Sequence, residues 1–125
     1  MAEEQQTGSE QDDQPERLSV LTTVTDGITV VTPAGEVDND TGGRLRQALD
    51  ITGTVRPRLV IDMGQVTFMD SVGINILIST YQNVTAADGW LRLAAPTAPV
   101  RRILQLVGID KLIDCHPTLS HALES

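Results

Sequence analysis

Ser71 is the residue of this chain whose type and position best suit a chemical role. It follows Asp70 directly and precedes Gly73 by two residues. We expect Asp70 to cap a helix beginning at Ser71, in whose first turn backbone N–H groups lack partners and the helix dipole is positive. A phosphate there would add about −1.5 to −2 charge beside Asp70. The segment therefore permits a switchable surface serine, although Asp-Ser before a helix is also an ordinary capping pair.

Three aspartates form a second candidate site. Asp38, Asp62 and Asp70 come at or just after the ends of predicted strands. They could meet at one edge of a sheet as an acid–base pair or a metal site. The alternative is that they are loop and cap aspartates, and this second interpretation predicts no metal.

Other reactive residues do not form a recognisable catalytic pattern. A nucleophilic serine needs a base within reach, and His116 and His121 come late in the chain, at a spacing that we expect to leave them solvent-exposed. No Gly-x-Ser-x-Gly elbow is present, and no Walker lysine follows Gly42-Gly43. Cys115 is the single cysteine, which excludes an internal disulfide. We therefore expect a protein that is not an enzyme and holds no cofactor.

Apolar patterning predicts the strands and helices that would position Ser71. Asp26-Gly27 between β-branched runs predicts an N-terminal hairpin, and the length of the segment from Ser71 to about Ala86 favours a helix. Strands are predicted over 18–25, 28–32, 59–61 and 90–94, and residues 34–38 are either a continuation of the second strand or an exit loop. Helices are predicted to begin near 40–41, with Asp40 or Thr41 as the cap, and near 71 and 97. A short strand or turn is expected over 109–114, and a last helical turn or two over 118–123. This order predicts one α/β domain whose mixed, mostly parallel sheet carries the hairpin and about four helices.

Composition restricts the classes of function. The 125 residues carry a net charge of −8 with one Trp, one Tyr and one Phe, so a cationic or base-stacking surface for nucleic acid is not expected. No apolar run approaches the roughly 18 residues that span a bilayer, and the polar N-terminus does not look like a signal peptide. These features predict a cytoplasmic protein without membrane contact. Residues 1–17 are predicted to be a disordered acidic tail, followed by a domain over 18–125.

Several segments resemble, in order, those of the STAS domain family, and specifically of the bacterial anti-sigma factor antagonists. The resemblance extends from Leu18 to Leu123. The segments that carry it are Gly35–Asp38, Leu59–Asp62, Val66–Gly73, Gly89–Leu93, Val100–Leu104 and Val107–Asp110. The phosphoacceptor loop within Val66–Gly73 is the most specific of them.

The resemblance implies a role for Ser71. In that family the serine after the aspartate is phosphorylated by the cognate anti-sigma factor, a histidine-kinase-like ATPase that acts as a serine kinase. By this resemblance the unphosphorylated chain binds the anti-sigma factor and releases a sigma factor, phosphorylation of Ser71 ends the binding, and a serine phosphatase restores it. The implied partner-binding residues are Asp38, Met69, Asp70, Ser71, Val72 and Gly73.

One residue departs from the family pattern, and one alternative function stays open. Many members have Ser, Thr or Ala where this chain has Val72, so the second hydroxyl that some members carry directly after the acceptor is absent here. The alternative is a STAS scaffold, or a module that senses a small anion or a nucleotide, with no link to a sigma factor. The intact Asp70-Ser71 pair favours the phosphorylation switch.

Overall fold

A six-stranded sheet organises residues 17–124, the part of the chain that the computed structural model describes. Strands β1 and β2 form an antiparallel hairpin, and every other strand pair is parallel. The sheet order is β1-β2-β3-β5-β6, and β4 also pairs with β2. The strands are β1 (Leu18–Thr25), β2 (Ile28–Val37), β3 (Arg58–Asp62), β4 (Gln65–Met69), β5 (Trp90–Ala94) and β6 (Asp114–His116). The predicted mixed, mostly parallel sheet is confirmed.

Five helices accompany the sheet in the described residues, where the sequence predicted about four. They are α1 (Gly42–Ala48), α2 (Ser71–Ala86), α3 (Ala98–Leu106), α4 (Ile109–Leu112) and α5 (Leu119–Glu124). None of these helices is both long and apolar enough to cross a membrane. Of the acidic tail predicted over residues 1–17, residues 1–16 lie outside the described residues, as does Ser125.

The hairpin turn has the chemistry that the sequence predicted. Asp26 and Gly27 have φ angles of 53° and 78°, and the residues on either side of them, Thr25 and Ile28, are paired. Two successive positive φ angles define the turn whose twist matches that of the two strands. The hairpin pairs β1 with residues 28–35 of β2.

Pro33 marks the point at which β2 changes its parallel neighbour. The β3 pairing ends at Val31, and the β4 pairing begins at Ala34. A proline is tolerated between them because no ladder bond is required from its nitrogen. The sequence predicted β2 over 28–32 with 34–38 as either a continuation of that strand or an exit loop, and the structure has the continuation, as far as Val37. The sequence gave no strand over 65–69. The register of β2 with β4 shifts between Gly35 and Glu36, so the alternating pattern that reveals a strand is interrupted there.

The core is aliphatic and lies on both faces of the sheet. Leu59 and Ile61 pack in the larger cluster, with helices α1, α2 and α3, whereas Val60 between them packs in a smaller cluster against Ala122 of α5. All three β3 residues are almost fully buried. Strand β3 is therefore covered on both faces, as is typical of a short continuous apolar run, and the large cluster anchors α2 on the sheet.

The segment after α3 differs from its prediction. The sequence favoured a short strand or turn over 109–114, but a single helical turn, α4, precedes a three-residue strand, β6. Gly108 has a φ of 79°, which ends α3 and lets a new helical turn begin in a different direction. Strand β6 then adds to the sheet beside β5.

Candidate functional site

The predicted site lies where β2 and β4 end side by side. Val37 pairs with Met69, the last residues of the two strands, and the N–H of Asp70 donates to the carbonyl of Val37 at 3.2 Å. Asp38 and Asp70 therefore leave the same edge of the sheet. In open α/β sheets, binding sites form outside the carboxyl ends of strands.

Asp70 caps α2 as the sequence predicted. Its backbone is extended, and its carboxylate accepts a hydrogen bond from the N–H of Val72 at 2.9 Å. Ser71 is then the first residue of a 16-residue helix, and its side chain is exposed. Within residues 17–124, no group is hydrogen-bonded to the Ser71 hydroxyl. The hydroxyl is thus presented to solvent at the positive end of the helix.

Gly73 allows the start of α2 to lie against the strand ends. A Cβ at this position would be 2.4 Å from Cγ of Met69 and 3.1 Å from a methyl carbon of Val37. Met69 and Val37 are both buried, so neither side chain can move into solvent to make room. Met69 and Gly73, both predicted as partner-binding residues, therefore lie beneath the surface and set the position of Ser71.

A second glycine brings α1 against the same end of α2. A Cβ on Gly42 would be 2.9 Å from a methyl carbon of Val72 and 3.1 Å from Cδ1 of Ile76. Val72 is half-buried and packs against the large core cluster. The loop from Asp38 to Gly42 and the helix start at Ser71 therefore form one continuous surface.

The loop after β2 is held by the carboxylate of Asp38. Oδ1 accepts hydrogen bonds from the N–H groups of Asp40 at 2.9 Å and Thr41 at 3.1 Å. The Thr41 hydroxyl donates to the carbonyl of Glu36 at 2.7 Å and accepts from the N–H of Asp38 at 2.9 Å. Thr41 was predicted as one of two possible caps of α1, but its hydroxyl is used to close this loop, and it makes no cap hydrogen bond.

Arg17 binds three carboxylates around this loop. Its guanidinium donates to Glu36 at 2.8 Å, to Oδ2 of Asp38, and to Asp40 at 3.4 Å. Gly35 makes this possible, since a Cβ there would meet the carbonyl oxygen of Arg17 at 2.0 Å. Both oxygens of Asp38 are therefore occupied within the protein.

These contacts shift two pKa values. Desolvation opposes ionisation of Asp38, but hydrogen bonds from Arg17, Thr41 and Asp40 outweigh it, and the pKa of Asp38 is lowered. Hydrogen bonds to Glu36 and Asp38 raise the pKa of Arg17. Both groups are charged at neutral pH, and the loop carries more acidic than basic side chains.

The structure separates Asp62 from the other two aspartates. Ile61 pairs with Val31 of β2, six residues before Val37, which is roughly 20 Å along a strand. Oδ1 of Asp62 instead accepts the N–H of Gly64 at 3.1 Å and closes a local turn. The three aspartates therefore do not form the common acid–base or metal site considered above. No group of three metal-ligating side chains occurs within residues 17–124.

The two histidines are closer than their spacing in the sequence suggested. Nδ1 of His116 lies 2.7 Å from Nδ1 of His121, and His116 is only partly exposed, so the prediction that both face solvent is wrong for His116. Desolvation, His121 and Arg92 lower the pKa of His116, and Asp114 opposes them. Burial raises the pKa of the Cys115 thiol, as do Asp110 and Asp114, which makes the reactive thiolate less available.

Two residues at the site were not singled out from the sequence. Arg17 was assigned to the acidic tail, although a lone arginine directly before β1 was a signal that it could pair with nearby acids. Phe68 has 48 % of its surface exposed in β4, and an exposed aromatic ring next to a candidate interface is the type of residue that anchors a partner. No local pattern reveals this exposure, because β4 itself was not predicted.

Comparison with known proteins gives one family. The profile of the STAS domain matches residues 19–122. The anti-sigma-F factor antagonist RsfB of Mycobacterium tuberculosis is 30 % identical over 110 residues, which cover 87 % of this chain and 89 % of that protein.

Solved structures agree with the sequence relatives. An anti-sigma factor antagonist from Mycobacterium paratuberculosis superposes with a TM-score of 0.79 at 35 % identity, over 89 % of this chain and 95 % of that one. The unphosphorylated form of the anti-sigma factor antagonist SpoIIAA superposes with a TM-score of 0.69 at 22 % identity, over 85 % of this chain and 94 % of that one. The phosphorylated form of SpoIIAA, a Bacillus cell-fate determinant, gives a TM-score of 0.66 at 21 % identity, covering 85 % and 97 %. The two SpoIIAA structures show a shared fold.

Proposed function

We propose that this chain, which belongs to the STAS domain family, is an anti-sigma factor antagonist switched by phosphorylation of Ser71. The observation that carries the proposal is the position of Ser71, exposed on the first turn of α2 and directly after the cap Asp70. Its relatives named anti-sigma factor antagonists support the general role. The chain would act in the cytoplasm, where it would bind an anti-sigma factor and free a sigma factor.

The binding surface that we propose joins the helix start to the loop after β2. Ser71, Val72 and Phe68 supply its exposed or half-exposed centre, and the loop that Asp38 holds supplies an acidic margin. Since Asp38 is already bonded to Arg17, its part is to fix the loop rather than to offer a free carboxylate. A complementary partner surface would be apolar at its centre and basic at its margin.

Phosphorylation of Ser71 would prevent this surface from binding the anti-sigma factor. The partner, a histidine-kinase-like ATPase, would transfer the γ-phosphoryl group of ATP to Oγ of Ser71, with loss of the hydroxyl proton and release of ADP. The phosphate adds about −1.5 to −2 charge next to Asp70, and an uncompensated charge in a closed interface is costly. SpoIIAA, which has this fold, has been solved phosphorylated. A serine phosphatase would remove the group and restore binding.

Binding of Ser71 variants tests this proposal. Calorimetry is done with the histidine-kinase-like anti-sigma factors encoded in the same genome. Wild type and Ser71→Ala should bind alike, and Ser71→Glu should bind at least about tenfold more weakly, about 1.4 kcal/mol. Ser120→Glu is the matched control, because Ser120 is exposed on α5 across the sheet from α2, and it should leave binding unchanged. Equal affinity of all variants, or binding to none of these anti-sigma factors, would refute the proposal.

A further inference from the structure

Strand β1 itself lacks the sequence features that usually protect an edge strand. Within the described residues β1 pairs only with β2, and its sequence contains no charged residue and no proline. Its register with β2 is continuous from Leu18 to Thr25. Charges, prolines and bulges are the features that normally stop an edge strand from pairing with another chain. All three are missing from β1.

The hairpin turn determines which backbone groups of β1 face outward. Thr25 and Ile28 flank a two-residue turn and so bond to each other. Alternate residues counted back from Thr25 then bond to β2, and the N–H and C=O groups of Val20, Thr22 and Val24 point away from it. These groups form a ladder edge without a strand partner in residues 17–124.

Two hydrogen bonds at the start of β1 agree with this alternation of outward-facing and inward-facing groups. The carbonyl of Leu18 accepts a hydrogen bond from Nη1 of Arg44, which approaches from α1 at 3.1 Å. The carbonyl of the preceding residue, Arg17, accepts instead from the N–H of Glu36 in β2 at 2.8 Å. Arg44 covers the first outward carbonyl, so the open part of the edge begins at Val20.

We propose that two copies of this chain associate by antiparallel pairing of their β1 strands about a two-fold axis. Antiparallel pairing places outward-facing residues opposite each other. With Thr22 opposite Thr22 of the second copy, Val20 lies opposite Val24, which gives about six main-chain hydrogen bonds. The two exposed apolar side chains of the strand, Leu21 at 62 % and Val24 at 70 % exposure, would be partly covered.

The charges at the two ends of β1 favour a second copy as the occupant of this edge. Arg17 and Arg44 lie at the start of the strand and Asp26 lies just beyond its end. In the proposed register, Asp26 of the second copy lies opposite Leu18 and near Arg44, since Arg17 is already bonded to three carboxylates of its own chain. The symmetry repeats this at the other end. Arg58 reaches only the backbone carbonyl of Asp26, at 3.4 Å. No like charges oppose one another along the strand.

The size of the contact sets its strength. One short strand pair buries less than the roughly 1,000 Å² of a stable interface, so we expect association that depends on concentration. None of the residues proposed to bind the anti-sigma factor lies on β1, and the two proposals can therefore fail independently.

Sedimentation velocity of the full chain tests the pairing. From about 10 µM to about 1 mM, wild type should shift from monomer to dimer and no further, because a two-fold contact closes on itself. Leu21→Lys places a charge on the edge, and Thr22→Pro removes an outward-facing donor. Each should raise the dissociation constant at least about tenfold. Leu106→Lys is the matched control, because Leu106 is also an exposed leucine, 79 % exposed, but lies on α3. This variant should dimerise as wild type does.

A charge-neutral variant tests the register. Asp26→Asn keeps a residue that tolerates positive φ and should weaken the dimer while reducing its sensitivity to salt. The proposal is overturned if wild type stays monomeric throughout, if it forms larger assemblies, or if Leu21→Lys and Leu106→Lys change association equally. Circular dichroism of each variant confirms that the fold is retained.

Discussion

At the scale of single residues, the site depends on how side chains are used rather than on which ones are present. The carboxylate of Asp70 accepts a hydrogen bond from the backbone N–H of Val72. The carboxylate of Asp38 accepts hydrogen bonds from Asp40, Thr41 and Arg17. Ser71 keeps an uncommitted hydroxyl beside these fixed groups. A surface that is rigid around one reactive hydroxyl suits a switch that one covalent change can operate.

Arg17 gives the first prediction at this scale. Replacing it by Gln removes the charged donor that helps to hold the pKa of Asp38 down, so we expect the pKa of Asp38 to rise in Arg17→Gln. A lowered pKa in the folded state stabilises the protein above the unfolded value, about 3.9, and this contribution is lost as the pH falls through the folded value. The variant should therefore lose less stability than wild type on acidification.

NMR titration of the side-chain carboxyl carbon of Asp38 measures this shift directly. Arg46→Gln is a suitable control, since Arg46 is exposed on α1, and it should leave the Asp38 titration in place. An unchanged Asp38 titration in Arg17→Gln would show that the ion pair does not control this carboxyl.

At the scale of elements, the position of α2 depends on close contact with the ends of β2 and β4. Gly73→Ala inserts a methyl group at 2.4 Å from Met69, which must displace either the helix or the buried side chain. We expect a loss of about 1–3 kcal/mol in the free energy of unfolding, together with weaker binding of the partner. Urea denaturation measures the first effect.

Gly43→Ala is the matched control for that substitution. Gly43 also lies in a helix, but nothing is within 4 Å of the position where its Cβ would be. Alanine should stabilise the helix there by roughly 0.5–1 kcal/mol relative to glycine. If the two substitutions had the same effect on stability, the close contact would not be what positions α2.

Elements with local signals were predictable from the sequence, and elements that depend on distant partners were not. The Asp26-Gly27 turn and the Asp70 cap act through neighbouring residues, and both were found where the sequence placed them. Strand β4 exists because it pairs with β2 across a register shift, and no pattern within 65–69 records that pairing. The Arg17 contacts join residues about twenty positions apart, so they were missed for the same reason.

At the scale of the whole molecule, the C-terminal part is coupled to pH through His116. Desolvation, His121 and Arg92 lower the pKa of His116 in the folded state. The unfolded chain, with a value of about 6.5, then binds more protons below that pH, so stability should fall as the pH drops through 6.5. His116→Gln should lose less stability between about pH 7.5 and 5.5 than wild type does, as measured by urea denaturation at each pH. An equal loss in both proteins would contradict this assignment.

The central claim for the molecule is that Ser71 receives the phosphate. The most direct measurement incubates the full chain with its anti-sigma factor and ATP, followed by intact-mass analysis and peptide mapping. We predict one added phosphate on the peptide that contains Ser71, and none on Ser71→Ala. A phosphate mapped to any other residue, or undiminished phosphorylation of Ser71→Ala, would contradict the account.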